Sequence, residues 1–187
     1  MKKGNKKIIW ISGRCGYGKT AFANSIIKEY EEKGENTCNL EAKDFVDFLV
    51  KNLRIRNSIE DFVSHFQNYD LLMLDDVDYY LLGKPATQKA VKEAIQKIIN
   101  NNTKVILITQ KRARKLRKLK FDSDICFYKR LKTPTVEFKR SLIKDWLKTK
   151  KSIISKEKTD EIIDKSNNLF QLKGLFNQIS FFQKHNK

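Results

Sequence analysis

GRCGYGKT (13–20) follows the apolar run IIWI (8–11) and opens a segment with apolar residues at 22, 23, 26, 27 and 30. The run reads as a short buried strand and the segment as a helix, stopped by Gly34. The octet between them satisfies G-x-x-x-x-G-K-[ST], the phosphate-loop pattern. Its chemistry depends on that spacing. Glycines let the backbone curl so that successive N–H groups converge on phosphate oxygens, and the helix start adds its positive dipole end. Gly13, Arg14, Cys15, Gly16, Tyr17, Gly18, Lys19, Thr20 and Ala21 are therefore the candidate nucleotide-binding residues. Lys19 is expected to reach the β- and γ-phosphates, and the Thr20 hydroxyl to ligate Mg²⁺.

Such a site needs an acid at the end of a second strand. LLMLDD (71–76) supplies four apolar residues followed by Asp75 and Asp76, with Asp78 close behind. Asp75 is expected to hold the metal, and Asp76 to polarise an attacking water. Thr109, at the exit of VILI (105–108), is a third candidate, because ligands of open α/β sheets bind at the carboxyl ends of the strands.

The rest of the chain continues the alternation. TCNL (37–40) and ICFY (125–128) complete five candidate strands, and helical spacing recurs at 44–53, 58–67 and 87–100. Strands alternating with helices predict a parallel sheet flanked by helices. After Thr133-Pro134 three helical stretches (135–149, 155–165, 168–184) follow without a strand. The division expected is a nucleotide-binding core over 1–132 and a small helical lobe over 133–187.

With 187 residues, 40% apolar, the chain can bury a core. No apolar run approaches a membrane span, and MKKGNKK (1–7) does not read as a signal peptide. Cys15, Cys38 and Cys126 are scattered and lack metal-ligand spacing, which fits a reducing cytoplasm. The net charge of +17 has two readings, a polyanionic partner or a lysine-rich background spread over the chain. KRARKLRKLK (111–120) concentrates seven basic residues in ten. Lys111, Arg112, Arg114, Lys115, Arg117 and Lys118 are candidates for contacting DNA phosphates, as are Lys51, Arg54 and Arg56 further upstream. Phe45 and Phe48 read as core rather than as base-stacking platforms, and in QLKGLF (171–176) Leu172, Leu175 and Phe176 are expected to pack inward.

The order of the phosphate loop, YDLLMLDDVDYYLLGKPATQ (69–88) and KVILITQKR (104–112) resembles the AAA+ ATPase domain of the DnaA family of bacterial replication initiators, including short Hda-like relatives. The likeness is carried by Asp75, Asp76, Gly83, Lys84, Thr87, Gln88 and Thr109. It implies a P-loop AAA+ fold, with a five-stranded parallel sheet and a helical lid, that binds ATP or ADP with Mg²⁺. It also implies that residues 41–70 correspond to an insertion that contacts single-stranded DNA, and that the lid's γ-phosphate-sensing arginine is replaced by Phe170. No Ser-Arg-Phe segment precedes the fifth strand to offer an arginine finger, so hydrolysis is expected to be weak or conditional. The expected role is accessory: regulating an initiator through AAA+ contacts, homo- or hetero-oligomeric, or assisting a replicative helicase. Because no helix-turn-helix follows the lid, specific reading of origin duplex is not expected, and with only twelve residues before Gly13 the family's upstream segment of the adenine pocket is expected to be almost absent. Two rivals remain: a helicase-loader or transposition-type ATPase, and a non-hydrolysing adaptor switched by nucleotide.

Overall fold

The computed structural model describes residues 6–55, 58–78, 84–111, 121–150 and 153–185, without the side chains beyond 181. Five strands are present: β1 (Ile8–Ser12), β2 (Thr37–Glu41), β3 (Leu71–Asp75), β4 (Lys104–Thr109) and β5 (Cys126–Arg130). Seven helices are described: α1 (Lys19–Glu31), α2 (Ala42–Ile55), α3 (Ile59–Ser64), α4 (Pro85–Asn100), α5 (Val136–Lys150), α6 (Lys156–Lys165) and α7 (Leu169–His185).

The strands form one all-parallel sheet in the order β2-β3-β4-β1-β5. Its three inner strands are buried along almost their whole length, which is why they read as unbroken apolar runs. Alternation then divides their side chains between two cores. Ile11, Leu71, Met73, Ile106 and Ile108 pack with Ala23 and Ile27 of α1. Trp10, Leu72, Leu74, Val105 and Leu107 pack with α2, α3 and α4 on the other face. There Phe45 meets Phe62 edge-on at 5.0 Å, and Phe48 lies 5.2 Å from Phe62, so these aromatics are core, as their spacing predicts. Truncating such a ring to alanine costs about 3–5 kcal/mol.

Local signals set the helix ends. Ser58 caps α3 by accepting from the Asp61 N–H at 3.2 Å. Pro85 opens α4, where an N–H would have no partner.

The chain divides into two compact units. One comprises Met1–Gly13 and Lys19–Leu131, the other Arg14–Gly18 and Lys132–Lys187. The second unit has its own apolar centre: Ile143, Ile154, Ile162, Ile163, Leu172 and Phe176 are buried together, with Leu175 packed against them.

Candidate functional site

In the first unit, β3 delivers Asp75 to the carboxyl edge of the sheet, where it is half-buried. One of its oxygens accepts the hydroxyl of Thr20, in the first turn of α1, at 2.8 Å. The other accepts the backbone N–H of Asp76 at 2.7 Å. A hydroxyl and a carboxylate held together at the end of adjacent elements are oxygen donors of the kind that Mg²⁺ selects, so the pair fits the expected ion. When bound, the ion would neutralise phosphate charge. Asp76 itself is exposed and has φ +53°, a left-handed conformation that aspartate tolerates better than most residues.

Thr109 ends β4 beside β1, paired in register with Ser12, and its carbonyl accepts the Gly13 N–H at 3.3 Å. Its side chain is fully buried. The hydroxyl donates to Asp78 at 2.6 Å and accepts the Lys111 N–H at 3.1 Å. Asp78, 9% exposed, also accepts the N–H groups of Gln110 and Lys111. This carboxylate gathers the chain leaving β4 around itself. In the sequence Asp78 is only the acid close behind Asp75 and Asp76. The available signal, a polar residue three places beyond one strand and a threonine at the end of its neighbour, does not single it out.

The second unit holds residues 14–18 of the phosphate-loop motif. Gly16 and Gly18 have φ +76° and +83°, which side-chain-bearing residues rarely adopt. A Cβ on Gly16 would lie 2.9 Å from the side chain of Asn168, and one on Gly18 would lie 3.0 Å from Leu169 Cδ1. The Gly16 carbonyl accepts the Leu169 N–H at 2.8 Å, while the Asn168 side chain caps α7 by accepting from Gln171 N at 3.0 Å. Thr133 donates to the Tyr17 hydroxyl at 3.0 Å. Arg14 and Cys15 are exposed, and so are Thr20 and Ala21 across the unit boundary along the chain, whereas Lys19 is half-buried. Phe170, in the first turn of α7, is 68% exposed.

Of the candidate DNA contacts, Lys51 and Arg54 are exposed on α2 beside the 70%-exposed Ile55, and Lys111 is exposed after β4. Arg56, Arg112, Arg114, Lys115, Arg117 and Lys118 lie outside the described residues, as does Gly83 of the Gly-Lys-x-x-Thr-Gln segment. The rest of that segment opens α4, with Gln88 buried. Among the described residues, no helix is long and apolar enough to cross a membrane.

The family model of the bacterial DnaA ATPase domain matches residues 2–131. The chromosomal replication initiator protein DnaA of Helicobacter acinonychis is 26% identical over 173 residues, which cover 90% of this chain and 38% of the relative. The chain thus spans about two fifths of the length of the curated relatives it matches. Domain III of the Thermotoga maritima replication initiation protein DnaA superposes with a TM-score of 0.80 at 18% identity, covering 99% of this chain and 80% of that one. A solved structure of the replication initiator DnaA bound to AMPPCP and single-stranded DNA gives a TM-score of 0.73 at 23% identity, covering 92% and 55%.

Proposed function

The chain belongs to the family of the bacterial DnaA ATPase domain and has its AAA+ fold, and on that footing we propose that it is a Mg²⁺-dependent adenine-nucleotide-binding protein with an accessory or regulatory role in replication initiation. The observation that carries this reading is the 2.8 Å hydrogen bond from Thr20, the last residue of the phosphate-loop motif, to Asp75 at the end of β3. These two residues would hold the ion. Main-chain amides of 13–20 would bind the phosphates of ADP or ATP, with Lys19 supplying a positive charge to them. Asp76, which is exposed, would accept a proton from water. Phe170 contributes no charge where the family resemblance puts an arginine, a group worth roughly 10³–10⁵ in rate where it stabilises transition-state charge. Turnover is accordingly weak, and the nucleotide serves mainly as a switch.

Single-stranded DNA is the second ligand of this reading, and a replication initiator or replicative helicase its protein partner in the cytoplasm. One related structure holds such a strand together with AMPPCP. Exposed Lys51, Arg54 and Lys111 and the net charge of +17 supply the electrostatic attraction. Binding of a labelled 30-mer between 50 and 200 mM salt tests both halves, with and without ADP and Mg²⁺. For about four phosphate contacts the affinity falls roughly 50-fold over that range. The affinity also differs between the nucleotide-free and nucleotide-bound protein. Binding that is indifferent to salt and to nucleotide overturns the proposal.

A further inference from the structure

A threonine hydroxyl has one proton to give. In Thr109 that proton goes to Asp78 at 2.6 Å, and the oxygen is already accepting from Lys111 N. The same carboxylate takes the N–H groups of Gln110 and Lys111, so the turn leaving β4 closes around a nearly buried negative charge. The location gives this arrangement a consequence. Thr109 adjoins the first residue of the phosphate loop, through Gly13 N–H to its carbonyl at 3.3 Å, and Asp75 ends the next strand of the sheet.

We propose that Asp78 sets the discrimination between nucleoside diphosphate and triphosphate at this site, by holding the only proton that Thr109 could offer a terminal phosphate. The inference rests on the nucleotide-binding reading above. A diphosphate asks nothing of Thr109. A terminal phosphoryl group, to be bound there, must take the proton from a carboxylate that is already charged and already in place. Giving up a hydrogen bond that is already made weights such an exchange on the order of tenfold. Asp78 acts through Thr109 and is a positioning residue.

Asp78→Asn is nearly isosteric and tests the competition. Its amide oxygen can still accept from the turn, while its NH₂ can donate to the Thr109 oxygen and free the hydroxyl proton. Calorimetric titration with ADP and with the non-hydrolysable analogue AMPPCP reads the ratio of affinities. Wild type is expected to prefer ADP by at least about tenfold. Asp78→Asn is expected to shift the ratio towards AMPPCP by about tenfold, and the double variant Asp78→Asn/Thr109→Val to return it to the wild-type value. An unchanged ratio in Asp78→Asn, or a shift that survives in the double variant, overturns the proposal. Should Asp78→Asn not fold, the wild-type ratio alone decides, since equal affinity for the two nucleotides also overturns it. Failure of wild type to bind either nucleotide is a different result, which removes the nucleotide-binding reading and this inference with it.

Discussion

Cys15 stands inside the phosphate loop and is exposed, whereas Cys38 is half-buried and Cys126 is buried. Burial raises the pKa of the Cys38 thiol and pushes that of Cys126 up to about 11, so neither offers much thiolate at neutral pH. Alkylation followed by mass spectrometry should therefore modify Cys15 first. Saturating ADP with Mg²⁺ should slow Cys15 by about tenfold or more, because the loop backbone closes on the phosphates. A Cys15 rate that ignores nucleotide contradicts the assignment of the loop. At this scale the sequence leads one to expect Thr20 and Asp75 in one place, from their spacing and flanking elements, and the structure joins the two by a hydrogen bond. The partnership of Asp78 with Thr109 was not legible. It arises from two loops meeting beyond adjacent strands, and nothing in the local sequence separates Asp78 from the acids before it.

At the scale of elements, β1, β3 and β4 could be read because a parallel sheet covered on both faces demands continuous apolar runs, whereas the edge strands β2 and β5 are partly or largely exposed and lie within two residues of TCNL and ICFY. The helices were legible from their 3.6-residue spacing, with ends displaced by up to three residues, as at α3, which Ser58 caps and which ends at Ser64. Lys139 is an element-level feature that the pattern hides. On a helix as basic as α5 it reads as one more solvated charge, yet it is 7% exposed. Its ammonium donates to the carbonyl of Ile163 at 3.1 Å and to that of Ser166, satisfying acceptors at the end of α6 just before α7 begins. Lys139→Met retains the length of the stem and removes the donors. The Ile163 carbonyl keeps the Ser166 N–H and hydroxyl, so the variant should destabilise the protein by about 1–3 kcal/mol, the cost of leaving the Ser166 carbonyl unpaired, measured as a lowered denaturant midpoint at unchanged slope. An unchanged midpoint means that water takes over the Ser166 carbonyl.

At the scale of the whole molecule, the phosphate-loop motif belongs by its contacts to both compact units, with residues 14–18 in one and the helix they lead into in the other. The sequence pattern placed a change of character near residue 132, where the strands stop, but could not show that the loop's own glycines pack against Asn168 and Leu169. Such contacts join residues about 150 positions apart and leave no local periodicity to read. The charge of +17 is likewise a property of the whole chain, and its spread over many lysines is why composition alone left two readings open. All functional statements meet at the phosphate loop, and one measurement reaches it directly: the thermal unfolding of wild type and of Lys19→Ala, each with ADP or ATP, with and without Mg²⁺. Nucleotide at a hundredfold excess over its Kd should stabilise the wild type by about 2.7 kcal/mol, less when Mg²⁺ is withheld, and Lys19→Ala should show no such gain. A wild type whose unfolding ignores both nucleotides at every Mg²⁺ concentration contradicts the account.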